Sequence, residues 1–142
     1  MPTSRTTSSM HARLAAVRRG VIGVLHRGER FLVIRRAAGV AKGGRWCFPG
    51  GHLEPEETSK VALRREFREE LSIEIDPVRR LGSIRVAESR HVLAVWCVEH
   101  VAGDIRPAPA EVAAVRWMKP DELRGVAEGL PSNAVVLAMM GH

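Results

Sequence analysis

Apolar positions recur with two different spacings along the chain, and together they predict a domain that combines strands with helices. Residues 21–25 and 31–34 are apolar, partly β-branched runs on either side of a polar segment that contains Gly28. This pattern is typical of a hairpin with glycine in its turn. A shorter apolar run at residues 46–48 predicts another strand, which ends at the turn-forming sequence Pro49-Gly50-Gly51.

The second half of the chain predicts three more strands and two short helices. Residues 78–86 and 91–101 resemble strands of one sheet, and residues 112–118 predict a further strand. A helical turn is expected to open at residues 120–123, and a final helix is expected over residues 132–140.

The clearest helix signal covers residues 58–71. Leu63, Phe67 and Leu71 recur at intervals of four and form an apolar stripe that should face the core. Thr58 or Ser59 can cap the free amides at the start of this helix. Helices packed on a mixed sheet, in the α/β (α+β) class, are therefore the expected architecture.

The length of 142 residues fits one domain, expected at residues 17–142. Residues 1–16 begin with a Ser- and Thr-rich stretch, and we expect a poorly ordered arm there. No apolar run approaches the roughly 18 residues that span a bilayer. Cys47 and Cys97 lie in apolar segments and are expected to be buried, reduced thiols, so a cytoplasmic location is expected by default.

The net charge of +6 suits a phosphate-bearing ligand, or only a well-solvated surface. The basic residues are scattered, and the chain has no Tyr to stack on single-stranded bases. Nucleic acid is therefore a disfavoured partner, and a small-molecule ligand is favoured. The sequence does not predict an oligomeric state.

Three carboxylates carry the strongest chemical signal. Glu66, Glu69 and Glu70 fall within one arc of roughly 100° on the predicted helix. Such neighbours repel one another on an exposed helix, and Mg²⁺ or Mn²⁺ would convert that repulsion into ligation. The alternative is a solvated acidic face paired with nearby arginines. The adjoining Gly50 and Gly51 favour the metal site, because glycines let a backbone carbonyl approach a ligand closely.

The spacing of these residues resembles the Nudix box. That pattern is a glycine, five residues, a glutamate, seven residues, and then Arg-Glu-aliphatic-x-Glu-Glu-x-Gly-aliphatic. The residues of this chain that match it are Gly51, Glu57, Arg65, Glu66, Glu69, Glu70 and Ile73. Two positions depart from it: Ser72 replaces the usual glycine, where a positive φ is common, and Phe67 replaces an aliphatic residue.

The resemblance extends over roughly residues 17–140 and is strongest to the MutT-like branch, which hydrolyses oxidised nucleoside triphosphates. It implies the Nudix fold, with a mixed sheet between helices, and a Mg²⁺ site (Mn²⁺ is possible). The implied ligands are the Gly50 carbonyl, Glu66, Glu69, Glu70 and Glu111. Water activated by the metal and by Glu66 or Glu111 would attack the β-phosphorus, giving nucleoside monophosphate and pyrophosphate. Arg65 would orient Glu66, and Glu57 would brace the loop.

Substrate contacts are also implied by this resemblance, and each has a structural alternative. Asn133 matches a position that reads the purine edge, although Asn also caps helices well. Arg36 and Arg90 could reach phosphate or base, Gly51 could approach the ligand, and Phe48 could pack on the base or only in the core. His52 and His91 are more often structural than ligand-binding at such positions.

Two other functions remain open. The box specifies the chemistry but not the leaving group, so ADP-ribose, a nucleotide sugar or a dinucleoside polyphosphate could be the substrate. A non-catalytic nucleotide-binding module is disfavoured because the carboxylates are intact.

Overall fold

The computed structural model describes residues 17–86 and 89–142, which form eight strands and three helices. The arm expected at residues 1–16 lies outside these residues. The strands are β1 (Arg18–Val24), β2 (His26–Arg27), β3 (Arg30–Arg36), β4 (Trp46–Cys47), β5 (Gly50–His52), β6 (Glu74–Arg85), β7 (His91–Ala102) and β8 (Val112–Met118). The helices are α1 (Ser59–Leu71), α2 (Pro120–Gly125) and α3 (Ser132–Met139).

The described strands form two sheets. The first has the order β5-β1-β7-β6 and is mixed, because β1 and β7 run parallel while the other pairs are antiparallel. The second sheet is built around β3, which pairs antiparallel with β2, β4 and β8. The predicted mixed sheet is therefore confirmed, whereas the second, antiparallel sheet was not predicted.

Helices cover both faces of the mixed sheet, as expected. Successive β1 residues point to opposite faces, so Val21 packs in the same core cluster as Leu63 of α1, and Ile22 packs in the same cluster as Val136 of α3. The apolar stripe of α1 is confirmed, since its three members are fully buried. Among the described residues, no helix is long and apolar enough to cross a bilayer.

The predicted hairpin at Gly28 is real but much shorter than the apolar runs suggested. Gly28 has a φ of 56°, and His26 pairs with Phe31. The runs at residues 21–25 and 31–34 do not form the two long arms, because they belong to different sheets. β1 pairs with β5 on one side and with β7 on the other, so neither of its edges is free to pair with β3.

Two strand boundaries also differ from the prediction. The turn predicted at Pro49-Gly50-Gly51 lies partly in a strand, because Gly50–His52 pairs with β1, with Gly51 opposite Val21. Strand β6 begins at Glu74 rather than at residue 78, and Pro77 lies within it. Proline lacks an N–H group, and it is tolerated here because β6 is an edge strand.

The two ends of α1 follow its sequence. The Thr58 hydroxyl accepts a hydrogen bond from the Val61 N–H at 3.3 Å, which confirms Thr58 as the cap. At the other end Ser72 takes the left-handed conformation that the box glycine usually supplies, with a φ of 62°. Its hydroxyl donates to the Arg106 carbonyl at 3.1 Å, which tethers the end of the helix to the loop that precedes β8. Cys47 and Cys97 are buried free thiols, as expected.

Candidate active site

A cleft with two adjoining compartments opens beside β5. The carboxylate compartment, about 320 Å³, is lined by residues that include Glu66, Glu70, Glu111 and Arg65. The apolar compartment, about 290 Å³, is lined by residues that include Phe48, Leu93, Leu130 and Asn133. Four residues line both compartments: Arg36, Gly50, Gly51 and His52.

Helix α1 supplies the carboxylates because Glu66 and Glu70 lie one turn apart on it. Glu70 is 3% exposed, and the Glu66 side chain is 13% exposed. Gly51 of β5 lies directly against Glu66: a Cβ atom there would come within 2.6 Å of Glu66 Oε2. The box requires glycine at this position because any side chain would displace the carboxylate.

Arg65 organises the entrance to the carboxylate compartment. Its guanidinium donates two hydrogen bonds of 2.8 Å to the two oxygens of Glu57 and one of 2.9 Å to the His52 carbonyl. It also donates to Glu66 Oε1 at 2.9 Å and to Glu69 Oε2 at 3.2 Å. The hydrogen bonds from Arg65, and a further one from the Glu54 N–H, lower the pKa of Glu57 to about 2.

Glu70 is buried, and the half-buried Glu66 lies close to it. Burial is the main cause that raises the pKa of each, and their mutual interaction raises that of Glu70 further. The Glu70 Oε1 atom is buried and has no hydrogen-bond partner among the described residues. An unpartnered buried carboxylate oxygen is costly, and a hard divalent cation would satisfy it. The donor set therefore fits Mg²⁺ or Mn²⁺.

The predicted metal ligands are not gathered into a finished cluster. Within residues 17–86 and 89–142, no three His, Cys, Asp or Glu side chains are placed so that together they could hold a metal ion. Glu111 does line the compartment, but it does not complete a group of three with Glu66 and Glu70. Glu69 is not among the residues that line the compartment; its side chain is 48% exposed and is held by Arg65. Glu69 would have to turn towards the compartment to join Glu66 and Glu70.

Glu111 reaches the same compartment from a distant part of the chain. It lies directly before β8, and its carbonyl accepts a hydrogen bond from the Ala37 N–H at 2.9 Å. Its negative charge is one of the causes that raise the pKa of Glu70. Glu66, Glu70, Glu111 and Gly50 therefore line one compartment, and Glu69 is not among its lining residues.

The residues predicted to contact the substrate differ in whether they line the cleft. Arg36 lies between the compartments, where its Nε donates to the Ala41 carbonyl at 2.7 Å. Phe48 is 4% exposed and lines the apolar compartment, so it serves the core and the cleft together. Arg90 precedes β7 with an exposed side chain, and it is not among the residues that line either compartment.

Asn133 lacks one of its two expected roles, the capping of the final helix. It makes no side-chain cap at the start of α3. Instead its Nδ2 donates to the Trp46 carbonyl at 2.9 Å, which ties α3 to β4, and the residue also lines the apolar compartment. One amide proton is therefore committed to the fold.

Several residues of the apolar compartment escaped the sequence analysis. Lys42, Leu93 and Leu130 come from a loop, a strand and the approach to a helix. No local pattern marks them, because only the packing of α3 and the loop after β3 brings them to one wall.

Comparison with known proteins shows the family of this chain. A NUDIX domain family model matches residues 16–139. The MutT-like protein of Streptomyces ambofaciens is 35% identical over 104 residues, which are 72% of this chain and 64% of that protein, so the chain spans just under two thirds of that relative. The CTP pyrophosphohydrolase of Escherichia coli strain K12 is 33% identical over 104 residues, 72% of this chain and 76% of that enzyme.

The fold is shared with solved structures as well. The crystal structure of the MutT protein from Methanosarcina mazei Go1 superposes with a TM-score of 0.75 at 22% identity, over 87% of this chain and 93% of that one. The family match covers the box, both sheets and the cleft. The chain therefore belongs to the Nudix family and is a hydrolase of phosphoric anhydrides.

Proposed function

We propose that this protein is a Mg²⁺-dependent, MutT-like pyrophosphohydrolase that converts a nucleoside triphosphate to nucleoside monophosphate and pyrophosphate. The observation that carries this proposal is the adjoining pair of compartments, one acidic and one apolar, which share Gly50 and Gly51. A polyphosphate with its metal ions suits the first compartment, and a nucleobase suits the second.

The metal would be held by the Gly50 carbonyl and by Glu66, Glu69, Glu70 and Glu111. When bound, Mg²⁺ neutralises the polyphosphate and polarises the phosphorus under attack. Glu66 or Glu111 accepts a proton from the attacking water. The new bond joins the water oxygen to the β-phosphorus, and the bond to the oxygen shared with the α-phosphorus breaks. Arg65 keeps Glu66 in position, and its bidentate pair with Glu57 fixes the loop between β5 and α1.

The nucleobase is expected to bind in the apolar compartment. The Escherichia coli relative is named for CTP, and the resemblance to the MutT-like branch implies oxidised nucleotides. The Phe48 face and the remaining polar atoms of Asn133 are the groups that would contact the base. We also propose that residues 17–142 form a single domain and that the enzyme acts on its small-molecule substrate in the cytoplasm.

A hydrolysis screen with product analysis tests this function. Canonical and oxidised nucleoside triphosphates, ADP-ribose, a nucleotide sugar and a dinucleoside polyphosphate are incubated with and without Mg²⁺. We expect Mg²⁺-dependent release of pyrophosphate from at least one triphosphate. Release of a sugar phosphate or of orthophosphate as the main product would contradict the MutT-like reaction.

Variants of the carboxylates test the site. Glu70→Gln and Glu69→Gln should each lower kcat by on the order of 10²-fold or more, because a carboxylate charge at a metal centre is hard to replace. Glu74→Gln is the matched control, since Glu74 is exposed on β6 and pairs with Arg68. Near wild-type turnover of the Glu70 and Glu69 variants would refute the assigned metal site.

A further inference from the structure

His52 lines both compartments, yet the proposed reaction gives its imidazole no role. A nucleoside triphosphate joins its phosphates to its base through the sugar. If the phosphates lie in the carboxylate compartment and the base in the apolar one, the sugar must lie at their boundary. This placement of the sugar rests on the proposed function.

A second histidine packs against His52. The ring centroids of His52 and His91 are 5.2 Å apart, with 37° between the ring planes. The two residues come from β5 and β7, which flank β1, and they lie opposite Gly20 and Arg18 respectively. Residues two apart on a strand share a face, so both imidazoles lie on the same face of the sheet. Gly20 places no side chain between them.

Ser89 fixes the orientation of His91. The Ser89 hydroxyl oxygen accepts a hydrogen bond from the His91 N–H at 2.9 Å and lies 3.0 Å from His91 Nδ1. The other ring nitrogen, Nε2, is buried and has no partner within the described part of the chain. His91 also lines the apolar compartment. The oriented His91 ring at the wall of the cleft is therefore a surface against which the His52 ring packs.

We propose that His52, positioned by His91, hydrogen-bonds a hydroxyl group of the nucleotide's sugar and so determines which sugars the enzyme accepts. A neutral imidazole offers one N–H donor and one acceptor nitrogen, which matches a hydroxyl group that both donates and accepts. Arg36, the other polar side chain at the boundary, already donates its Nε–H to the Ala41 carbonyl.

Sugar discrimination is measured with three substrates that differ only in the sugar: CTP, dCTP and 2′,3′-dideoxy-CTP, all with Mg²⁺. For the wild type, removal of the contacted hydroxyl should lower kcat/KM by about tenfold, the usual effect of losing one hydrogen bond. In His52→Ala the ratio of kcat/KM for CTP to that for the dideoxy compound should fall to about one. His52→Gln should restore part of the ratio, because its amide keeps a donor and an acceptor.

His91 is tested as a positioning residue. His91→Phe keeps an aromatic ring but removes both nitrogens, and Ser89→Ala is a milder change that frees the ring; both should lower the same ratio. His26→Ala is the matched control, because His26 is an exposed histidine on β2 that lines neither compartment, and it should keep the wild-type ratio.

Two results would overturn the proposal. In the first, the wild type hydrolyses the three nucleotides with equal kcat/KM. In the second, His52→Ala lowers kcat/KM by the same factor for all three nucleotides. Absence of turnover on every nucleoside triphosphate would instead contradict the proposed function. In that case, isothermal titration measures the dissociation constants of the same three nucleotides for wild type and His52→Ala. The ratio of the dissociation constants of the dideoxy compound and CTP then tests the sugar contact.

Discussion

Arg65 is the residue through which three separate parts of the site are connected. Its guanidinium holds the loop carboxylate of Glu57, the backbone of His52 on β5 and the carboxylate of Glu66 on its own helix. A planar guanidinium with five donors can make this many directed contacts, and a lysine could not. Replacement of Arg65 would therefore disturb the loop, the strand and the catalytic carboxylate together.

The ion pair between Glu57 and Arg65 predicts how a single substitution changes the stability of the protein. Glu57→Gln should lower the free energy of unfolding at pH 7 by about 1.5–3 kcal/mol, the range for hydrogen bonds to charged groups. The pKa of Glu57 falls from an ordinary value of 4.5 to about 2 in the folded protein. Its contribution is therefore complete above about pH 4.5 and is lost as the pH falls towards 2.

Urea unfolding of wild type and Glu57→Gln at pH 7 and pH 3 measures this difference. We expect it to be clearly smaller at pH 3. Glu54→Gln is the control, because Glu54 is 64% exposed and its carboxylate lies 3.8 Å from Arg65. A difference that stays constant between the two pH values would show that charge does not cause the stabilisation.

The packing of α1 on β1 explains how the family's aliphatic position accommodates Phe67. The Phe67 ring is fully buried and lies over Gly23 of β1. A Cβ atom at Gly23 would come within 2.6 Å of the ring atom Cζ and 3.3 Å of Leu63 Cδ2. The large ring and the missing side chain therefore compensate for each other.

This compensation predicts a coupled pair of substitutions. Gly23→Ala should destabilise the protein by about 1–3 kcal/mol through overpacking. Phe67→Leu should also destabilise it, because it leaves a cavity. The double variant should be more stable than the sum of the two effects predicts, by at least about 1 kcal/mol.

Denaturant unfolding of the four proteins gives the coupling energy. Gly39→Ala is the control, since no atom lies within 4 Å of a Cβ placed there, and it should change stability by less than about 0.5 kcal/mol. Strict additivity of Gly23→Ala and Phe67→Leu would mean that the ring does not occupy the space left by the glycine.

At the scale of the whole molecule, the buried carboxylate of Glu70 has one oxygen without a hydrogen-bond partner among the described residues. Glu70 is buried, its Oε1 makes no hydrogen bond to the described residues, and its pKa is raised well above the ordinary value. An acid with a raised folded-state pKa reduces stability as the pH rises above its unfolded value. Without a cation, the site therefore costs the fold stability at neutral and alkaline pH.

Thermal unfolding tests this cost. In a chelator at pH 8, Glu70→Gln should raise Tm by about 2–6 °C, because it removes the buried charge. Added Mg²⁺ should raise the Tm of the wild type and have much less effect on the variant. Glu74→Gln should match the wild type in both conditions. A Glu70→Gln protein that melts below the wild type in chelator would show that the buried carboxylate is stabilised by the fold itself.

The sequence alone determined the parts of this protein that depend on local spacing. The start of α1 at Thr58, its apolar stripe and the placement of Glu66 and Glu70 on one side follow from helical periodicity and capping. The family was predicted from the spacing of the box residues, and the mixed sheet and most strands were predicted from runs of apolar residues. Both kinds of pattern are properties of residues that are close together in the sequence.

Only the tertiary structure decided how distant segments meet. It separated β1 from β3 into two sheets and made Gly50–His52 a strand. It paired the exposed side chain of Glu69 with Arg65, outside the residues that line the carboxylate compartment. It also brought His52 to His91 across β1. These features depend on which strand edges and which helix and sheet faces are free once the core has packed. Distant segments compete for those edges and faces, so the outcome cannot be predicted from any single stretch of the chain.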